Sequence, residues 1–216
     1  MATDRLQFAN RHSKISGGMP YASVRFGPLR RFSVVFGTVL ALLLPFLAVA
    51  QKTAENLDGA PADPFSSTGA KGKPVVLLFL RTDCPISNRY APLIQKMSVE
   101  YQGRVSFWLV YPNPKIDAEK IRQHERGYGY DLPALRDPHH ALVAQAQVQV
   151  TPEAAVFDGN RHLLYHGRID DLYQAFGRTR ALATTHELDD AIQAALSGKK
   201  PPANAPAVGC YIADLE

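Results

Sequence analysis

Cysteine is scarce in this chain: there are two in 216 residues, Cys84 and Cys210. They stand too far apart to make a Cys-x-x-Cys pair, and the position three beyond Cys84 is Ser87. A local dithiol is therefore excluded, and any disulfide within the chain must close across the fold. Two is still the minimum for a dithiol cycle. A surplus of positive charge is equally lacking once residues 1–50 are set aside. That segment carries six Lys/Arg against the single acid Asp4, which accounts for the formal net charge of +4, whereas residues 51–216 hold 18 Lys/Arg and 19 Asp/Glu. No basic stripe remains to neutralise phosphates, which excludes nucleic-acid binding. Internal repeats and low-complexity arrays are absent as well.

What residues 1–50 do contain is a basic stretch, an almost wholly apolar run from Phe32 to Leu47, and the small-residue end Ala48-Val49-Ala50. This is the pattern of a secretory signal peptide with cleavage after Ala50. Met19 offers an alternative start that leaves a leader of ordinary length, and Arg30-Arg31-Phe32 gives a faint twin-arginine signal beside the ordinary one. An uncleaved anchor through residues 32–50 is the competing reading, because that run is just long enough to span a bilayer. Pro45 and the small residues favour cleavage. The expected location is the periplasm or the cell exterior, where a disulfide can persist, with membrane contact only through an uncleaved leader.

Residues 51–73 are rich in Ala, Asp, Gly, Pro and Ser without an apolar period and read as a flexible linker. The folded domain is expected over residues 74–197. Val75 to Leu80 is a continuous apolar run, as a central strand covered on both faces requires. Pro85 to Gln102 has helical spacing through Tyr90, Leu93, Ile94, Met97 and Tyr101. Val105–Tyr111 is a second strand, and Asp117 is placed to cap a helix from Ala118. Asp137-Pro138 begins a short helix. Thr151-Pro152 precedes a strand over residues 153–157, the turn Asp158-Gly159-Asn160, and a strand over residues 162–165. Residues 170–184 form an insertion of mixed character. Thr185-His186-Glu187-Leu188 opens an amphipathic helix that Gly198 ends. Residues 198–216 are a flexible proline-rich tail carrying Cys210, able to swing toward Cys84.

The chemically informative stretch is Leu77-Leu78-Phe79-Leu80-Arg81-Thr82-Asp83-Cys84-Pro85-Ile86-Ser87-Asn88-Arg89-Tyr90. An apolar strand here delivers a cysteine to the start of a helix whose first residue is proline, a position proline suits. Free backbone N–H groups and the helix dipole at such a place favour thiolate over thiol. Cys84 is accordingly the candidate nucleophile, expected with an accessible sulfur. The bland alternative is a small buried hydrophobe at a strand end. Arg89, one helical turn on, is the nearest candidate cation, with a solvated surface arginine as the equal alternative. Ser87 is read as a helix cap that can also donate to the sulfur.

This order of elements, with a cysteine at the first helix N-terminus, resembles the thioredoxin-like fold, an α/β fold with a central mixed sheet flanked by helices. Thr82-x-Cys84-Pro85, Asp137-Pro138, Thr151-Pro152, Asp158-x-Asn160 and Tyr165-His166-Gly167 are similar to the redoxin branch that contains alkyl hydroperoxide reductases and thiol-specific antioxidant proteins. The resemblance spans Pro74 to Leu196. It implies that Pro152 is a cis-proline beside Cys84, that the Thr151 backbone pairs with an extended substrate chain, and that Cys210 serves as a resolving thiol. The resulting activity is thiol–disulfide exchange, catalysed by Cys84 and Cys210 with Thr82, Ser87 and Arg89 around the sulfur. Its partners are a protein disulfide or thiol substrate and a reductant, and it needs no cofactor and no metal.

Three alternatives follow from departures. Thiol peroxidases of the family show Pro-x-x-x-Thr-x-x-Cys, but Thr82 lies only two residues before Cys84, and residues 77–81 contain no proline. A Cu(I)-binding or metal-delivery module would draw on Cys84, Cys210 and a histidine such as His139 or His140, which read more readily as surface residues at a helix start. A permanent Cys84–Cys210 disulfide would leave an inert structural domain.

Overall fold

The computed structural model describes residues 53–67 and 69–213. The proposed leader, residues 1–50, lies outside them. In chain order the elements are β1 (Glu55–Asn56), β2 (Val75–Phe79), α1 (Pro85–Arg89), α2 (Ala91–Glu100), β3 (Ser106–Tyr111), α3 (Ala118–Tyr128), β4 (Ala134–Arg136), α4 (Ala141–Ala146), β5 (Val150–Thr151), β6 (Glu153–Phe157), β7 (Leu163–Gly167), β8 (Tyr173–Ala175), β9 (Arg178–Thr179), α5 (Glu187–Ser197) and β10 (Cys210–Tyr211).

A six-stranded sheet in the order β1-β4-β3-β2-β6-β7 forms the centre. Strands β2, β3 and β4 run parallel, while β6, β7 and β1 pair antiparallel. Every residue of β2 is buried, and the strand's two-residue period splits them between two cores. Val76 and Leu78 join Ile94 and Met97 of α2, Ile121 of α3, and Leu188 and Ile192 of α5. Val75, Leu77 and Phe79 face the other way, onto Leu142 and Ala146 of α4, with Phe157 and Ile212. This is why the strand sequence shows no polar alternation.

Local signals place the helices. Asp117 accepts a hydrogen bond from Lys120 N at 2.7 Å and caps α3. Asp137 is fully buried and accepts from Ala141 N and Val143 N at 2.8 and 2.9 Å, so it serves α4 as a cap held inside the protein. The helical run after Cys84 is divided into α1 and α2, with Pro92 in the first turn of α2.

Two expectations are corrected. The described part of residues 51–73 (53–67 and 69–73) is not a flexible linker: Glu55 and Asn56 pair with Arg136 and Leu135 at the sheet edge, and Ala54 and Ala70 are buried in the second core. A two-residue strand has no period to read in the sequence. Nor is the tail free. Ala205 bridges Gly167, β10 pairs antiparallel with β5, and Ile212 is 3% exposed in the second core. Among the described residues no helix is long and apolar enough to cross a membrane.

Candidate functional site

Strand β2 ends below α1, and Cys84 is the N-cap residue of that helix, with extended backbone (φ −92°, ψ 111°) and Pro85 in the first turn. Its carbonyl accepts the Asn88 N–H at 3.1 Å. The sulfur is not accessible as expected: Cys84 is 1% exposed. What covers it is the tail. Cys210 Sγ lies 3.5 Å from Cys84 Sγ and donates toward it, while the Cys84 thiol faces the Thr151 carbonyl at 3.4 Å. Both cysteines are free thiols. Desolvation pushes the Cys210 thiol up to about 11, helped by its hydrogen bond to Cys84 and the charge that sulfur can carry. Cys210 is accordingly held as a thiol while the pair is closed.

Thr151 and Pro152 stand beside the pair, joined by a cis peptide bond. Thr151 Oγ1 donates to the Cys210 carbonyl at 3.5 Å. The bend is braced from beneath by Glu153, 5% exposed. Its Oε2 accepts from Gln149 N and Val150 N at 2.8 and 3.2 Å, and its Oε1 meets His166 Nδ1 at 3.2 Å. Thr151, 67 residues from Cys84 and 59 from Cys210, therefore meets both cysteines on a backbone that cannot shift freely.

Arg89 and Ser87 take other positions than expected. Arg89 is exposed. The cation whose charge reaches Cys210 is Arg81: it lowers the Cys210 thiol pKa, and negative charge on either sulfur favours the protonated guanidinium in return. Arg81 is also tied to Asp83 by two hydrogen bonds of 3.0 and 2.9 Å, and that pairing spends part of its field on a carboxylate. Ser87 is fully buried and caps nothing. Its hydroxyl accepts the Arg81 N–H at 3.5 Å, tying α1 back to the end of β2. Thr82 contributes its carbonyl, which accepts from Asn88 Nδ2 at 3.3 Å.

Sequence reasoning missed His124. This α3 residue is 6% exposed, and burial depresses its pKa below the usual 6.5. Its Nε2 is 2.8 Å from Asn88 Oδ1 and its Nδ1 is 2.9 Å from the Tyr111 hydroxyl. Because Asn88 donates its amide to Thr82, its oxygen must accept, so Nε2 carries the proton and Tyr111 donates to Nδ1. A neutral imidazole completes a chain from Tyr111 through His124 and Asn88 to the loop that carries Cys84. No sequence pattern marks residues 88, 111 and 124 as neighbours.

Two further histidines are engaged away from the sulfurs. His140 Nε2 lies 2.9 Å from the Pro112 carbonyl and His162 Nδ1 lies 3.0 Å from Asp158. Among the described residues no group of three or more His, Cys, Asp or Glu is arranged to hold a metal ion.

A strand, a cysteine-headed helix, a helical crossover to a parallel strand, and a cis-proline before an antiparallel hairpin together define a thioredoxin-like domain. The chain belongs to the AhpC/TSA family, whose pattern matches residues 48–166, more than half its length. Among solved structures it is similar to a hypothetical protein of Sinorhizobium meliloti 1021, with 22% identity, TM-score 0.61, and coverage of 74% of this chain and 88% of that one. An uncharacterized conserved protein of Geobacillus kaustophilus is equally similar, with 22% identity, TM-score 0.62, and coverage of 74% and 86%. At this identity the likeness speaks for the fold. A secreted Mycobacterium tuberculosis disulfide oxidoreductase homologous to E. coli DsbE aligns at 20% identity and TM-score 0.45 over 68% of this chain and 94% of its own. No curated protein matches the chain.

Proposed function

We propose that the protein is an exported thiol–disulfide oxidoreductase in which Cys84 is the nucleophilic thiolate and Cys210 the resolving cysteine. The observation that carries this reading is the 3.5 Å separation of the two sulfurs at the head of α1. A disulfide needs about 2.05 Å between them, so a small shift of β10 suffices to join them. The Cys84 thiolate attacks one sulfur of a substrate disulfide and expels the other as a thiolate. Cys210, deprotonated as it approaches, then attacks the Cys84 sulfur and expels the second substrate thiolate. Two protons pass from the cysteines to the substrate, two electrons go with them, and the protein keeps the Cys84–Cys210 disulfide. The reverse sequence oxidises a substrate dithiol. A separate reductant resets the disulfide.

The raised Cys210 pKa supports the order of attack: its thiol stays protonated, and so a weak nucleophile, in the closed pair. Export rests on the leader-like residues 1–50, and N-terminal sequencing of the mature protein should begin at Gln51. For the redox pair, the full chain is exposed to oxidised glutathione and digested without reduction. Wild type should yield the peptides of Cys84 and Cys210 linked, and Cys210→Ser should accumulate a Cys84–glutathione mixed disulfide. Cys84→Ser should give neither. Failure of the two peptides ever to link overturns the resolving role.

A further inference from the structure

The tail lies where a substrate must lie. An extended chain reaching Cys84 has the Thr151 backbone beside it, the kind of strand addition by which sheet edges capture peptides. That position is already filled. Cys210 is paired with Thr151 and Tyr211 with Val150, antiparallel, and Ile212 N donates to the Gln149 carbonyl at 2.9 Å.

The fit is specific at Gly209 and Ile212. Gly209 passes so close to the bend that a Cβ there would stand 2.2 Å from the Thr151 carbonyl oxygen and 2.6 Å from its carbon, both backbone atoms that cannot turn aside. Tyr211 is 58% exposed, so its side chain is not selected. Ile212 enters the second core beside Leu77 and Phe79. Upstream, Ala205 is seated against Gly167, where a Cβ would meet the Ala205 carbonyl oxygen at 2.2 Å, and Asn204 Oδ1 accepts from His166 N at 3.1 Å. The segment is laid in by backbone contacts and two glycines.

Resting on the thiol-exchange reading above, we infer that residues 209–212 are bound as a built-in substrate. The slot along Val150–Thr151 accepts an extended polypeptide of the pattern Gly-Cys-x-apolar, and an outside chain reaches Cys84 by displacing this segment. The closed arrangement also explains why the sulfur at the head of α1 is buried, with Cys210 laid over it. Closed, the dithiol is protected; opened by a competing strand, Cys84 is exposed and Cys210 swings clear until the second step.

Capped peptides Ala-Val-Gly-Cys-Tyr-Ile, Ala-Val-Ala-Cys-Tyr-Ile and Ala-Val-Gly-Cys-Tyr-Asp are prepared as mixed disulfides with thionitrobenzoate. Each is offered to the full chain carrying Cys210→Ser. Cys84 attacks the peptide sulfur, the bond to thionitrobenzoate breaks, and the coloured thiolate leaves with the electron pair. The first peptide should react about tenfold or more faster than either other, because a misplaced methyl or a buried charge is costly in a closed slot. In the same background Gly209→Ala should raise the rate of Cys84 with Ellman's reagent by about tenfold, since the segment no longer seats. Ile212→Ser provides a second way to unseat it if the first variant folds poorly. If Cys84 reacts with Ellman's reagent but treats the three peptides alike, or is unaffected by both unseating variants, the built-in substrate is overturned while the redox reading stands. A Cys84 that never reacts in any variant overturns both.

Discussion

The two cysteines meet, yet they are held in very different ways. Cys84 heads α1, which follows directly on β2, a strand paired on both sides and buried on both faces, and its loop is braced by Ser87, Asn88 and His124. Cys210 sits on a two-residue strand in a two-stranded ladder, with one anchoring side chain, Ile212, just beyond it. One sulfur is over-determined by the core; the other is fixed by a few contacts that can be lost together. A resolving cysteine needs that contrast, because it must leave and return while its partner holds the reacting geometry. Local opening free energies span from near zero to the global stability, and the tail belongs to the low end.

The largest effect expected is on the rigid side. Phe79 and Ile212 occupy the same core, so truncating each compares two anchorages at one site. Phe79→Ala should cost about 3–5 kcal/mol in urea unfolding. Ile212→Ala should cost far less globally, about 1–2 kcal/mol, because the segment detaches before the domain unfolds, and it should leave Cys84 more open to alkylation. Equal losses in the two variants would show that the tail unfolds with the core and cannot act as a separate element.

The next effect is pH-dependent and concerns the brace on the Cys84 side. His124 is held neutral by burial, with its pKa below 6.5, so the unfolded chain binds the proton first as pH falls. Its contribution to stability is fully present above pH 6.5 and is lost as pH drops through the lowered pKa. His124→Phe leaves the Tyr111 hydroxyl and Asn88 Oδ1 unpaired and should cost about 1–3 kcal/mol near pH 7.5. The gap to wild type should narrow near pH 5. A gap independent of pH would mean that the imidazole is not the titrating link.

How much of this was legible depends on range in sequence. The unbroken apolar run of β2, Pro85 heading α1, Asp117 capping α3 and Gly198 ending α5 are local signals, each decided within a few residues. The thioredoxin-like fold followed from their order. The tail's pairing, β1, and the Tyr111–His124–Asn88 chain depend on contacts between distant residues, with elements too short to carry a period. The place of Cys84 at the head of α1 was therefore legible, but its burial was not: nothing near residue 84 announces that residue 210 will cover it.

The smallest predicted effect separates two arginines that sequence spacing confuses. Helical arithmetic favours Arg89, one turn past Cys84, but it assumes that the cation serving a sulfur lies on the sulfur's own helix. Arg81 instead lies just past the end of β2, and its charge stabilises the thiolate form of Cys210. Its pairing with Asp83 moderates that field without cancelling it. Arg81→Gln should accordingly move the pH profile of thiol alkylation upward, because the thiolates lose a stabilising cation. Arg89→Ala removes an exposed side chain and should change stability by less than about 0.5 kcal/mol, with the alkylation profile unmoved. If Arg89→Ala shifts the profile and Arg81→Gln does not, the cation at the sulfurs has been misassigned.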